Sequence, residues 1–213
     1  MLNFFYFSQI DSTQDWLIGQ IKKESFTLPA CVGSDQQTKG RGSRQNVWDN
    51  VENALMFSFA FEEIGLPNDL PRQSISIYVG FLLKEWLLKL GCNVWLKWPN
   101  DLYQGRSKIG GILTQKVGKY IVCGIGLNLV SSTYSALNLK WDSEIKKAKI
   151  LEFVEFFFKF PTWAYIFQNY KLEFQKNFDF TFHFENKEIC FSHTSLCDDG
   201  SLLWENQRIY SLR

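Results

Sequence analysis

Hydrophobic and polar positions alternate with unusual regularity between residues 54 and 61. Leu55, Phe57, Phe59 and Phe61 fall on one side of an extended chain, and Ala54, Met56, Ser58 and Ala60 on the other. The pattern predicts a strand with helices behind it and a crowded or ligand-facing surface in front. Between residues 71 and 90 the period becomes helical, with Ile75, Val79, Leu82, Leu83, Trp86, Leu87 and Leu90 as a spine. Pro71 suits the first turn of that helix and Gly91 its end. Upstream, a short aromatic strand leads to Ser12-Thr13-Gln14-Asp15. That string predicts a helix start, with Ser12 capping the free amides and Asp15 in the first turn. Leu17, Ile18 and Ile21 give the helix its apolar face. Residues 29–34, 93–98, 108–117 and 119–130 read as further strands, the last two joined as a hairpin at Gly118. Residues 142–160 and 162–178 fit two helices divided by Pro161.

The pattern changes after residue 179. Phe180, Phe182 and Phe184 alternate with polar residues, and turn signals recur at Asn186-Lys187, Asp199-Gly200 and Asn206-Gln207. A meander of about four short strands is too small to hold a core alone, so a small β-barrel docked on the main body is expected. The fold class is therefore α+β: a mixed, mostly antiparallel sheet flanked by helices at 1–178, and a small β unit at 179–213.

Composition narrows the function. At 213 residues, 46% hydrophobic and 17% aromatic, the chain can bury a large core, each big side chain contributing roughly 1.5–3 kcal/mol. A net charge of +1 lacks the basic surplus of a nucleic-acid binder, so no DNA partner is expected. The five cysteines have no close-paired spacing and there are two histidines, which argues against zinc. Odd in number and set among apolar neighbours, the thiols suit a reducing, cytoplasmic compartment. The start lacks a basic leader, and the apolar stretch at 150–160 is broken by Glu152, Glu155 and Lys159, so no membrane partner is expected.

Three strings could carry chemistry. Residues 36–48 hold Gly40, Arg41, Gly42, Ser43, Arg44 and Trp48, with almost nothing to pack. They read as a mobile loop that grips an anion through its arginine forks. Lys97-Trp98-Pro99-Asn100-Asp101 brings a strand to a rigid stop and leaves an amide and a carboxylate beside each other. Such a pair is usually only a turn, but the upstream lysine favours a metal or a sugar-phosphate. Lys108 precedes Gly110-Gly111, so a small molecule could lie along the bared backbone with its charged end at the lysine. A lysine at a strand entrance is otherwise simply solvated. Ser12, Thr13 and Gln37 would suit a urea or amide head, although capping alone explains Ser12. No P-loop occurs, and Gly124-Ile125-Gly126 lacks the third glycine of a dinucleotide loop, which favours close packing instead.

In chain order, Asp11-Ser12-Thr13, Gln37…Gly40-Arg41-Gly42…Trp48, Lys97-Trp98-Pro99-Asn100-Asp101, Lys108…Gly111 and Gly124…Asn128 together resemble the biotin–protein ligase family. The resemblance is strong over residues 5–130 and weaker beyond. It implies a seven-stranded, class II synthetase-like catalytic domain with an SH3-like barrel. It also implies two reactions: biotin and MgATP give biotinyl-5′-AMP, and a lysine of the biotin carboxyl carrier protein then takes the biotin. On this resemblance Ser12, Thr13, Gln14, Gln37, Gly40, Arg41, Gly42, Ser43, Lys108 and Gly111 would hold biotin. Arg41, Arg44, Trp48, Lys97, Asn100, Asp101 and Asn128 would line the ATP side. Lys108, Arg41 and Asp101 would act in the chemistry, Asp101 also holding Mg2+ or orienting the acceptor amine.

Two departures from the family pattern stand out. Ser43 and Gln45 replace an arginine and a glycine, which predicts looser retention of the adenylate. Ser43→Arg should slow release of biotinyl-AMP, and an unchanged release rate would refute this. The family motifs begin by residue 11, so no winged-helix DNA-binding segment and no repressor role are expected. Unpaired sheet edges leave room for a homodimer. A lipoate or octanoyl transferase is the nearest rival, but its Arg-Arg-x-Ser-Gly-Gly-Gly string is missing. An RNA-binding module would need repeated arginine-glycine units or a basic field.

Overall fold

A computed structural model describes residues 1–42, 47–49 and 51–210. In chain order the body comprises β1 (Asn3–Ile10), α1 (Thr13–Lys22), β2 (Ala30–Gln37), β3 (Asn53–Glu62), α2 (Ile75–Lys89), β4 (Trp95–Lys97), β5 (Asp101–Gln104), β6 (Ser107–Val117), β7 (Tyr120–Val130), α3 (Ser143–Phe157) and α4 (Trp163–Glu173). The seven strands make one sheet in the order β1-β2-β3-β7-β6-β5-β4. Only β1 and β2 run parallel; a parallel neighbour needs a crossover, and α1 supplies it.

The alternation in β3 divides the molecule. Phe57, Phe59 and Phe61 turn toward α3, where Phe59 meets Phe157 at 4.9 Å and Phe57 meets Phe153 at 5.8 Å between ring centroids. These rings belong to a large buried cluster that also takes in α2 and α4. The opposite face carries α1 over a smaller cluster of Leu17, Ile18, Ala30, Val32, Ala60 and Val122. Beside α1, that face is left open.

The predicted helix at 71–90 opens with a 3-10 turn, Arg72–Ser74, before α2, and Gly91 at φ +83° ends it. The helix expected at 162–178 stops at Glu173 and tightens into a 3-10 turn, Phe174–Asn177. The strand expected at 93–98 is only β4. After a turn at 98–100 the chain runs straight back as β5, so Lys97 faces Asp101 across the ladder.

The C-terminal meander contains β8 (Thr181–Phe184), β9 (Lys187–Cys190), β10 (Ser195–Leu196), β11 (Leu202–Trp204) and β12 (Gln207–Ile209). In place of the expected barrel, the described residues form a two-stranded and a separate three-stranded antiparallel sheet. Each of these strands is two to four residues long. Their apolar side instead joins the body: Phe182, Ile189, Phe191, Leu202 and Ile209 lie in the main buried cluster. Both tight turns fall one residue earlier than expected, at Glu185-Asn186 and Glu205-Asn206, all four with positive φ. No helix among the described residues is long and apolar enough to cross a membrane.

Candidate active site

The open face holds a cleft of about 650 Å3, its mouth included. The first turn of α1 builds one end. Ser12 caps the helix, its Oγ accepting from the Asp15 amide at 3.2 Å, and this turns Thr13 and Gln14 inward against the sheet. Gln37, at the end of β2, accepts the Thr13 amide at 2.7 Å and its hydroxyl at 3.0 Å. The Thr13 hydroxyl also lies 2.9 Å from Ser58 Oγ. A hydroxyl has one proton, so when Thr13 donates to Gln37 it accepts from Ser58. Gln14 is buried and its Oε1 has no partner, although its Nε2 reaches the Val122 carbonyl at 3.5 Å. A buried carbonyl without a donor is costly and fits a ligand N–H arriving at that point.

The floor is made by glycines on paired strands. Gly111 of β6 faces Gly126 of β7, and Gly124 lies two residues along. A Cβ at Gly124 would stand 2.7 Å from Gln14 Oε1, and one at Gly126 would stand 2.8 Å from the Trp48 ring. Glycine is therefore required at both places for other side chains to reach the sheet.

The β5–β6 register slips between Leu102, opposite Gly110, and Tyr103, opposite Lys108, leaving Ile109 as the extra residue of a bulge. Residues three apart on a regular strand point to opposite faces. The bulge brings Lys108 and Gly111 onto the same one, where a Cβ at Gly111 would lie 3.8 Å from Lys108 Cε. Lys108 Nζ stands 2.8 Å from Asp101 Oδ1. Asn100 is buried and clamps the neighbouring strand, its Nδ2 donating to the Ile112 carbonyl at 2.7 Å and its own carbonyl accepting the Ile112 amide at 2.9 Å. Tyr103 behind this corner is pushed up to about 12, by burial first and then by the Asp101 charge.

The loop leaving β2 is tied to α1. Lys39 reaches Asp11 at 2.8 Å and Thr38 Oγ1 donates to the same carboxylate, which holds Asp11 below the usual carboxylate range. Arg41 Nη1 lies 2.5 Å from Asp15 Oδ1. Arg41 bridges to Val47, and the Trp48 amide donates to the Gly40 carbonyl at 2.9 Å. This brings Arg41, Gly42, Val47 and Trp48 to the cleft, with Trp48 Nε1 buried and unpartnered.

Thus Ser12, Thr13, Gln14, Gln37, Arg41, Gly42, Trp48, Asn100, Asp101, Lys108 and Gly111 line one cavity. Gly40 acts behind it through its carbonyl. Lys97 lies elsewhere, 5.5–5.6 Å from the ring centroids of Tyr103, Phe180 and Phe191. Asn128 sits one strand repeat beyond Gly126, its Nδ2 on the Ser135 carbonyl at 3.1 Å. Ser43 and Arg44 fall outside the described residues. Sequence alone assigned no role to Ser58, although the polar face of β3 pointed to it. Gly124 and Gly126 do serve close packing, but their packing partners are the cleft's own Gln14 and Trp48.

Among the lining residues Asp101 is the one carboxylate, and Lys108 already holds it. No group of three or more metal-ligating side chains occurs among the described residues. The described residues supply no all-protein cage for a resident Mg2+, and Asp101 is paired with Lys108. Among the described lining residues the cations are Arg41 and Lys108, paired with Asp15 and Asp101.

Fold and site together define a domain with a cleft of bared sheet backbone beside the loop that carries Lys39 and Arg41. A model of the biotin/lipoate A/B protein ligase family matches residues 6–128, more than half of the chain, and the chain belongs to that family. It is 43% identical over 107 residues to biotin–protein ligase 2 of Arabidopsis thaliana, covering 46% of this chain and 32% of that protein. It is 34% identical over 140 residues to the bifunctional ligase/repressor BirA of Escherichia coli (strain K12), covering 62% and 43%. The chain thus spans less than half the length of these curated relatives. Biotin acetyl coenzyme A carboxylase synthetase from Helicobacter pylori, solved with bound biotinylated ATP, superposes with a TM-score of 0.90 at 34% identity, over 98% of this chain and 99% of that one. The Aquifex aeolicus biotin protein ligase, solved with biotin and ATP, shares the fold with a TM-score of 0.75 at 22% identity, over 98% and 94%.

Proposed function

We propose that the chain is an ATP-dependent biotin–protein ligase. The observation that carries this reading is the cleft itself, which gathers the unpartnered Gln14 Oε1, Thr13, Ser58 and Gln37 with the cations Lys108 and Arg41. Gln14 Oε1, Thr13, Ser58 and Gln37 receive the ureido ring. The valeryl chain lies over Gly111, Gly124 and Gly126, and the carboxylate reaches Lys108 and Arg41.

The carboxylate oxygen then attacks the α-phosphorus of ATP, the bond to the β-phosphate breaks, and pyrophosphate leaves. Two anions must meet for this, and fixed cations that offset the charge gathering in the transition state lower its energy. Any Mg2+ arrives with the nucleotide, and no step here depends on it. In the second reaction a lysine amine attacks the acyl carbon of biotinyl-AMP, AMP departs and the amine loses its proton. Asp101, released from Lys108 by the ligand, orients that amine.

The acceptor is a lysine of a biotin carboxyl carrier protein, in keeping with the carboxylase in the Helicobacter relative's name. Within this reading residues 1–178 carry the chemistry, and the turn at 198–200 braces them. The free cysteines suit a cytoplasmic setting, and nothing in the reaction calls on DNA.

Biotin-dependent exchange of labelled pyrophosphate into ATP tests the proposal. Exchange with lipoate, or none, would overturn it. Lys108→Ala should lower the exchange by on the order of 100-fold or more, the cost of one charge-stabilising group. Its melting temperature should stay unchanged, because the side chain is about half exposed at a strand entrance.

A further inference from the structure

Asp15 makes two contacts beside the cleft. Its amide donates to Ser12 Oγ, beside the groups that receive the ligand's polar head. Its carboxylate takes Arg41 Nη1 at 2.5 Å, and Arg41 lines the cleft. Asp15 itself does not line the cleft. A guanidinium presents five donors in a fixed plane, so a carboxylate on one edge sets the direction of the other.

We propose that Asp15 is a positioning residue: it holds Arg41 by its outer edge and aims the free edge at the ligand's carboxylate. This rests on the reading of the site as a biotin site. The ion pair stands half in water, so it adds little to stability. Its value lies in fixing a long side chain that would otherwise lose rotamer freedom when ligand binds. The α1 turn that reads the head of the ligand thereby also sets the grip on its tail.

Calorimetric binding of biotin and of biotinamide, the same ring system with a neutral carboxamide, separates the roles. Wild type should prefer biotin. Asp15→Ala should weaken biotin by about fivefold, the upper range for an exposed charged pair, and leave biotinamide unchanged. Asp15→Asn, which keeps an acceptor, should recover part of the loss. In an Arg41→Ala background, Asp15→Ala should add nothing. Equal losses for both ligands would mean Asp15 acts only through the helix cap, and tighter biotin binding by Asp15→Asn would mean it competes with the ligand. Either result overturns the proposal while leaving the biotin site intact. Failure of the wild type to bind biotin at all would overturn both.

Discussion

A Cβ added at Gly110 would stand 2.4 Å from Leu127 Cδ2 and 2.7 Å from the Gly126 carbonyl oxygen. At Gly111 the nearest atom would be Asp101 Oδ1, at 3.5 Å. The first position faces the core and the second faces the cleft. Gly110→Ala should therefore lower stability by about 1–3 kcal/mol, the usual cost of forcing atoms into packed space. Gly111→Ala should stay within about 0.5 kcal/mol of wild type, yet raise the KM for biotin because its methyl sits between Asp101 and Lys108. Denaturant unfolding and pyrophosphate exchange on the same two variants would check both. A Gly111→Ala enzyme with normal KM would place the ligand away from this strand. The sequence marks the two glycines but not which one faces the cleft. That depends on the bulge at Ile109, and no local residue pattern announces a one-residue slip between strands 101–104 and 107–117.

At the level of elements, periodicity made most of the body legible in the chain. The alternation at 54–61 foretold both sides of β3: Phe57, Phe59 and Phe61 lie under α3, and Ser58 reaches the cleft. Helix starts at Ser12, Asp142 and Thr162 were legible because each side chain accepts an amide three residues on. β5 was not, because Asn100-Asp101 has the composition of a turn, yet the ladder begins at Asp101 itself. The separation of faces also has a testable consequence. Phe157 is fully buried against Phe59, Phe61 and Phe160, on the side of the sheet away from the cleft. Phe157→Ala should cost about 3–5 kcal/mol, as large-to-small core changes do. Below its lowered melting temperature, biotin affinity should match wild type. A large loss of affinity in the folded variant would show that the two faces are coupled.

Across the whole molecule, one turn ties the C-terminal strands to the body. The Asp198, Asp199 and Gly200 carbonyls accept from Trp163 Nε1 at 2.9 Å, Ser74 Oγ at 2.5 Å and Trp98 Nε1 at 2.9 Å. Trp98 directly precedes the Pro99-Asn100-Asp101 corner, so the meander braces the cleft from behind. This was hidden in the sequence because it depends on residues 35 to 125 positions apart. The Asp199 carboxylate is part of the brace. Burial pushes it up, but the Ser201 hydroxyl and amide, the Arg208 charge and Gln73 together hold it below the usual carboxylate value. Asp35 resembles it: burial again opposes ionisation, and Tyr6, Ser143 and Lys146 outweigh it while joining β1, β2 and α3. A carboxyl lowered on folding contributes stability that is complete above its unfolded value, near 4, and lost as pH falls toward its folded value. The melting temperature should therefore drop as pH falls from about 5 to 3, and Asp199→Asn, which cannot titrate, should begin lower but lose less over that window. Combining Asp35→Asn with it should flatten the curve further, since the two sites lie in separate parts of the fold and share no partner. If the single and double variants lost as much as wild type over the same window, the acid sensitivity would reside in other carboxylates and the C-terminal brace would not depend on the charge of Asp199.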